Sequence, residues 1–358
     1  MYELSAMGFG PFFERQLSLS EGSEVHLARI AAEHRGAYEV WSSAGSGPAQ
    51  LAGRLRAQLE DSDLPGVGDW VVLRDDPGPD RTTIIDRVLE RRTVFARGAA
   101  GREARAQVVA ANVDLVFAVC GLDGDFNVRR LERYLARIWA SRAQPAVILN
   151  KADLCGEAAA RMAEVERHCP GVSVHLTSAL RSEGIEALRA AIHQGMTVAL
   201  VGSSGTGKST LVNALLGEPL LSTGKVRARD GRGCHVTTHR QLVLLPGGGL
   251  LLDTPGMRQL QLVDKEGIDA VFEDIAALAE RCRFRNCRHD GEPGCAVRQA
   301  VDAGELDAER VAHFFKLGRE AQQFELRHDQ RTRKQAGRLW GQLSDEAARL
   351  RRWKGGKE

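Results

Sequence analysis

Hydrophobic residues follow three successive patterns along this chain of 358 residues. From Met1 to about Gly101 they form short runs with strand character: Val25 to Ile30, Tyr38 to Trp41, Leu51 to Leu55, Trp70 to Leu73 and Thr82 to Val88. Turn chemistry separates them, as in Ala44-Gly45-Ser46-Gly47-Pro48 and Asp75-Asp76-Pro77-Gly78-Pro79. Five short strands predict a small barrel, with the OB-fold as the leading topology. From Gln107 strands alternate with helices. Val113 to Cys120, Pro145 to Leu149, Val172 to Leu176, Met196 to Val201, Gln241 to Leu245 and Leu250 to Leu252 read as strands. Val128 to Ser141, with Leu131, Leu135 and Ile138 on one face, reads as a helix, as do Ala158 to His168 and Ile185 to Ile192. Such alternation predicts a doubly wound, mostly parallel sheet. From Ile268 the pattern is helical, interrupted by a cysteine-bearing stretch.

The run Met196 to Val201 leads into Gly202-Ser203-Ser204-Gly205-Thr206-Gly207-Lys208-Ser209-Thr210, and Leu211, Leu215 and Leu216 then begin a helical pattern. Strand, glycine loop and helix with G-x-x-x-x-G-K-[ST] spacing form a phosphate cradle. Backbone N–H groups and the helix N-terminus face the anion. Lys208 is expected on the β- and γ-phosphates and Ser209 on Mg²⁺. Asn150-Lys151-Ala152-Asp153 ends a strand, where open α/β sheets bind ligands. The Asp153 carboxylate suits guanine N1–H and the N2 amine together. Asn150 suits either the base or the phosphate loop, and the Lys151 stem suits the ring face. Thr177-Ser178-Ala179 ends the next strand and suits a backbone N–H near guanine O6. Together these motifs favour GTP over ATP.

Asp253-Thr254-Pro255-Gly256 has the D-x-x-G spacing that places a carboxylate near Mg²⁺ and the Gly256 N–H near a γ-phosphate. Between the phosphate loop and this motif, Leu220 to Arg240 is rich in Gly, Arg and Thr and has no apolar periodicity, as a switch segment does. Thr237 and Thr238 are its candidates for Mg²⁺ and γ-phosphate contact, Thr238 first. The guanine motifs precede the phosphate loop and the D-x-x-G motif follows it. An ordinary GTPase runs in the other order, so the domain reads as circularly permuted, which is physically mild where domain termini lie close together.

Charge and cysteines refine this outline. A formal net charge of +2 confines any nucleic-acid contact to local basic patches. Candidates are Arg54, Arg56, Arg74, Arg81 and Arg87 of the barrel, the arginine-rich linker Arg91 to Arg105, and the tail from Arg327, with ten Lys/Arg against four Asp/Glu and with Trp340 and Trp353 interspersed. Seven cysteines, three of them between Cys282 and Cys295, argue against a secreted disulfide framework. Cys282-x₄-Cys287-x-His289-x₅-Cys295 suits a closed tetrahedral site for one structural Zn²⁺, with no open position for catalysis. No apolar run is long enough to span a bilayer. No signal pattern opens the chain, so it reads as cytoplasmic, without a membrane partner, and as a monomer.

The permuted order, the barrel ahead of it and the cysteine segment behind it resemble the ribosome small subunit-dependent GTPases. The likeness extends to Val67-Gly68-Asp69-Trp70-Val71, Ala111-Asn112-Val113-Asp114, Pro246-Gly247-Gly248-Gly249 and Ala296-Val297. It implies an OB-fold with its N-terminal extension and basic linker over 1–106, a permuted P-loop α/β GTPase over 107–267, and a helical zinc-binding domain with a basic tail over 268–358. It also implies GTP/GDP and Mg²⁺ as ligands, contact with the small ribosomal subunit and its rRNA, and GTPase activity stimulated by that subunit in late maturation. Met257 follows Gly256, where many GTPases carry a water-orienting Gln. The family has a histidine at the place of His235, which is therefore expected to position the water, with His239 as competitor. The alternative function is an RNA-binding placeholder or chaperone in which GTP only regulates occupancy.

Overall fold

The structure is a computed structural model that describes residues 3–17, 25–34, 37–60, 63–98, 106–218, 241–253, 265–289 and 292–323. The N-terminal barrel has strands β1 (His26–His34), β2 (Ala37–Ser42), β3 (Ser46–Leu51), β4 (Trp70–Leu73) and β5 (Thr83–Val88). They pair in the order β1-β2-β3-β5-β4, and β4 returns to β1. The β3–β5 pair is parallel and the other pairs are antiparallel. This is the OB-fold topology expected from five short strands. Ala28, Ile30, Val40, Val71 and Ile85 alternate inward and fill the interior.

One barrel strand is displaced from its expected position. The third strand is Ser46–Leu51, and the stretch expected as Leu51 to Leu55 turns instead into the short helix α2 (Gly53–Gln58). Leu51 and Leu55, four apart, both pack on the barrel core from either side of that turn. The N-terminal residues carry helix α1 (Pro11–Glu14) and close the barrel end by packing Phe9 and Phe13 on the buried Trp70, with centroids 5.0 and 5.8 Å away.

The expected basic connector carries strand structure too. Val94–Gly98 (β6) and Ala106–Ala111 (β7) form an antiparallel hairpin, and Arg91 grips buried Asp69 through two bonds of 2.8 Å. Arg74 and Arg81 of the barrel are paired with Asp86 and Asp75. Their charge is therefore compensated locally.

The second domain has strands β8 (Leu115–Gly121), β9 (Gln144–Asn150), β10 (Ser173–Thr177), β11 (Thr197–Val201), β12 (Gln241–Leu244) and β13 (Leu250–Asp253). Their spatial order is β10-β9-β8-β11-β13-β12, parallel except for the edge strand β12. Alternate residues of each strand serve opposite faces. Val116 and Ala118 of β8 meet helices α3 (Val128–Ala140) and α4 (Ala158–His168). Leu115, Phe117 and Val119 meet α5 (Ile185–Ala191) and α6 (Lys208–Leu216). The sheet is thus doubly wound. A single pairing of Ala32 with Gln241 continues it into the barrel.

The C-terminal residues form α7 (Lys265–Val271), α8 (Glu273–Ala279), α9 (Ala296–Asp302) and α10 (residues 308–323). They dock on α3. Gly267 lies so close that a Cβ there would sit 2.1 Å from the Ala136 carbonyl oxygen. The polar centre of this interface is Glu132 on α3, which is fully buried. Its carboxylate meets His313 Nδ1 at 2.6 Å, Arg129 Nη1 at 3.2 Å, His168 Nδ1 at 3.4 Å and Arg310 Nε at 3.6 Å. Arg310 also donates to Asp274 and to the Val271 carbonyl, so the network spans α3, α4, α7, α8 and α10. Among the described residues no helix is long and apolar enough to cross a membrane.

Removing one member of such a buried network leaves the others unpaired. Glu132→Ala should lower unfolding stability by about 3 kcal/mol. Denaturant titration checks this, with Glu305→Ala as an exposed control that should stay within about 0.5 kcal/mol of the parent.

Candidate nucleotide and metal sites

The strand ends at the C-terminal edge of the sheet bring the predicted motifs together. β11 delivers the loop Gly202 to Gly207, and α6 begins at Lys208. Gly207 has φ +89°, and a Cβ on it would lie 2.4 Å from Asn150 Nδ2. Only glycine fits both the left-handed backbone and that contact. The Lys208 ammonium donates to the Gly202 carbonyl at 2.8 Å and also to the Ser203 carbonyl, which holds it along the loop's inner edge. Thr206, fully buried, donates through its hydroxyl to the Ser203 carbonyl at 3.1 Å. Ser209 is exposed on the first turn of α6, with Thr210 half-buried behind it.

Asn150 takes the loop-bracing role, one of the two that its position suits. Its Nδ2 donates to the Thr206 carbonyl at 2.9 Å, and its Oδ1 accepts from Thr177 Oγ1 and the Ala179 amide, both at 3.1 Å. The side chain is a brace between β9, β10 and the phosphate loop. Of the backbone donors that Thr177-Ser178-Ala179 offers, the Ala179 N–H is the one engaged in this brace.

Lys151 adopts a left-handed backbone, φ +65°, and its ammonium pairs with Asp123. Asp153 is the central residue of the short 3₁₀ turn Ala152–Leu154. A hydrogen bond from Ser178 holds its carboxyl below the usual carboxylate range, assisted by the charges of Arg181 and Lys151. It is therefore ionised, as an acceptor for two N–H donors must be.

Asp253 ends β13. The parallel register with β11 pairs Ala199 with Leu252, so Asp253 stands beside the strand that enters the phosphate loop. Gly256, His235, Thr237, Thr238 and His239 lie outside the described residues.

Sequence reasoning passed over the segment after β8. Asp123 reaches Lys151, and Asp125 accepts from the Ser203 hydroxyl while pairing with Arg130 at 2.9 Å. The rule that ligands bind at the carboxyl ends of parallel strands pointed there, since Gly121 ends a central strand. Asp-Gly-Asp matches no motif, which is why it was missed.

The second site gathers Cys282, Cys287, His289 and Cys295, with all ligand atoms within 4.8 Å of one another. His289 Nδ1 lies 3.5 Å from Cys282 Sγ and 3.4 Å from Cys295 Sγ, and those two sulfurs are 4.0 Å apart. A tetrahedral ion with bonds of about 2.0 Å to nitrogen and about 2.3 Å to sulfur needs ligand separations of roughly 3.5–3.8 Å, so the group fits.

Its electrostatics also fit a cation. Burial would raise the Cys282 thiol, but the Val297 and Ala296 amides at the start of α9 bring it below the usual value. Burial and the neighbouring sulfurs push Cys287 up to about 11. Burial lowers the His289 pKa and keeps the imidazole neutral, its ligating form. Three thiolates this close are stable together only around positive charge. His289 stacks on Phe315 of α10 with centroids 4.9 Å apart, which ties the site to that helix.

Comparison with known proteins agrees with this geometry. Residues 88–263 match the family model described as RsgA GTPase. The chain is 43% identical to a small ribosomal subunit biogenesis GTPase RsgA 2 of Vibrio parahaemolyticus, over 88% of this chain and 85% of that protein. It is 47% identical to the RsgA protein of Opitutus terrae, over 88% of this chain and 89% of the relative. Among solved structures it is similar to YjeQ from Thermotoga maritima, at a TM-score of 0.63 and 26% identity, over 83% of this chain and 99% of that one. YloQ, described as a circularly permuted GTPase, shares the fold at a TM-score of 0.63 and 24% identity, over 86% of this chain and 98% of its own.

The brace has a measurable consequence. Asn150→Ala removes hydrogen bonds to two loops at once and should weaken GTP and GDP binding alike by about 10- to 100-fold, on the scale of one or two buried hydrogen bonds. Equilibrium titration with both nucleotides checks it. A loss confined to one nucleotide would contradict a brace.

Proposed function

The chain belongs to the RsgA family of GTPases, and on that premise we propose that it acts as a GTP-driven switch in maturation of the small ribosomal subunit. The observation that carries this reading is the Asn150 brace, which joins a guanine-type motif to a phosphate loop within a permuted sheet. The relatives' description as small ribosomal subunit biogenesis GTPases supplies the biological setting.

In this reading Asp153 accepts from guanine N1–H and N2, and the Lys151 stem covers the ring. Lys208 exchanges its loop carbonyls for the β- and γ-phosphates. Ser209, Thr238 and Asp253 would hold Mg²⁺, which would neutralise charge on the phosphates, and the Gly256 amide would sense the γ-phosphate. His235 positions the attacking water, a role that Met257 cannot take because a thioether does not orient water as a glutamine amide does. When hydrolysis removes the γ-phosphate, the contacts holding both switch segments are lost. The GTP form docks on the subunit through rRNA, and hydrolysis releases it. The protein works as a cytoplasmic monomer. One Zn²⁺ held by Cys282, Cys287, His289 and Cys295 would crosslink the loop ahead of α9 and support folding of that module.

The deciding experiment is GTP turnover with purified small subunits, large subunits or neither. Small subunits alone should raise it, from an intrinsic rate on the order of 10⁻⁴ to 10⁻² s⁻¹. Equal turnover in all three samples would refute the switch. His235→Ala should keep GTP binding and lose the stimulated rate. If that hydrolysis-dead variant still matures subunits and dissociates normally, the placeholder reading replaces the switch. Asp153→Asn should shift preference from GTP towards xanthosine triphosphate, measured by competition binding.

Metal content gives a further expectation. Elemental analysis should find one zinc per chain. Cys282→Ser should lower that content and the melting temperature together, while the isolated nucleotide affinity stays near that of the parent.

A further inference from the structure

Helix α3 carries more positive charge than its surroundings neutralise. Arg129 pairs with Glu132 and Asp307, Arg130 with Asp125, and Arg133 with Glu320 at 2.7 Å. Arg137, one turn beyond Arg133, differs from these. Its Nε is buried with no hydrogen-bond partner, and no carboxylate pairs with its guanidinium among the described residues. Burial first, and then the charge of Arg133, push its pKa below the usual arginine value, while Tyr134 and the carboxylate of Glu320, which is paired with Arg133, act the other way. A guanidinium nevertheless stays charged at physiological pH. A half-buried cation without a partner is a cost that helix packing alone does not require, since an apolar side chain would fill the same space.

Arg137 faces a groove of about 650 Å³ whose walls come from two domains. Arg133, Tyr134 and Arg137 line it from α3, and Glu309, His313 and Lys316 line it from α10. Lys316 is exposed and has no carboxylate partner among the described residues. Glu309, the one acid of the lining, is 88% exposed and leans towards Arg129 instead, at 3.6 Å. The two walls are held in place by the buried carboxylate of Glu132, through His313 on α10 and Arg129 on α3. The groove is therefore preformed, and it exists only while the zinc-site module is docked on the GTPase domain.

We propose that this groove binds the phosphodiester backbone of small-subunit RNA and thereby clamps the zinc-site module onto α3. The proposal rests on the small-subunit reading above. The two Nη groups of a guanidinium donate to phosphate oxygens, and a lysine across the gap supplies a point charge for a further phosphate. Tyr134, a half-buried aromatic residue of the lining, is of the side-chain type that stacks with bases. A polyanion with regularly spaced phosphates matches two unpaired cations on opposite walls. It bridges the two domains without inserting an acid next to Glu132.

The test uses the full chain loaded with a non-hydrolysable GTP analogue. Arg137→Gln, Arg137→Lys, Lys316→Glu and the pair Arg137→Gln/Lys316→Glu are titrated against purified small subunits from about 50 to 200 mM salt. Arg137→Gln, which removes one charge, and Lys316→Glu, which reverses one, should each weaken binding by at least about 3- to 10-fold, and the pair should flatten the slope of log affinity against log salt by about 1 to 2. Arg137→Lys should retain most of the affinity, and basal GTP turnover should not change. Parent-like affinity and slope for the pair overturn the proposal. So does a loss for Arg137→Gln that tracks a lower melting temperature while Lys316→Glu binds normally, because Arg137 would then be structural. An equal effect on capture of poly-glutamate assigns the groove to acidic protein and overturns it as well. If the parent binds isolated small-subunit RNA with this variant dependence but not the subunit, the small-subunit reading fails and the groove stands. Binding to neither overturns both.

Discussion

A single buried side-chain amide sets the geometry of the nucleotide site. Asn150 is 2% exposed, and an amide offers two donors and a carbonyl oxygen with two lone pairs. Three of those capacities are used inside the protein, on Thr206, Thr177 and Ala179. The phosphate loop, the guanine strand and its neighbour therefore cannot move independently. Gly207 belongs to the same constraint, since any larger residue would strike that amide. In a low-dielectric interior, breaking one of these bonds leaves a polar group unsatisfied, so the arrangement is held by what its loss would cost.

The permuted order gives the brace a particular role. In the chain, the guanine strand β9 comes before the phosphate loop and the D-x-x-G strand β13 comes after it. Strand β13 then leads towards α7, which is pressed against α3 at Gly267. The same α3 supplies Glu132, the buried centre of the contact with α10, and Arg137, a cation at its edge with no ion pair among the described residues. At its other end the sheet joins the barrel through Ala32 and Gln241, where β12 serves as the edge of one domain and the neighbour of β1 in the next. The nucleotide site therefore sits between two modules and is covalently or hydrogen-bond coupled to each.

Some of the motifs that carried the family likeness turn out to be joints rather than sites. Asp69 of Val67 to Val71 is buried under Arg91 and bonds the Gly66 amide. Asn112 of Ala111 to Asp114 has a left-handed backbone and bonds the Gly68 carbonyl and the Arg92 amide. Pro246 to Gly249 is the turn between β12 and β13, closed by the Leu245 amide on the Gly249 carbonyl. Each holds an interdomain or interstrand angle. Arg29 is the clearest case. It is fully buried in β1, and its guanidinium donates to the Met7, Gly68 and Asn112 carbonyls, which pins the N-terminal segment and the barrel to the entrance of the GTPase domain.

Sequence alone determined the features that depend on local spacing. Glycine placement specified the phosphate loop, alternation specified the buried strands of the doubly wound sheet, and four ligands within fourteen residues specified the metal cluster. Motif order specified the permutation. Local spacing misplaced the third barrel strand, because Leu51 and Leu55 satisfy a strand run and a helical turn equally, and the choice falls to packing on the barrel core. It also read Arg91 as a connector residue, since its partner Asp69 is distant in sequence. Tertiary structure alone decided that Asn150 braces the phosphate loop. It likewise decided that Asp123 and Asp125 face the nucleotide loops, that the network around Glu132 joins five helices, and that Arg137 meets no paired carboxylate among the described residues. Each of these depends on which long-range groups arrive at a buried polar atom. No periodicity encodes that arrival. It is set by the sheet order and by helices docking on both faces.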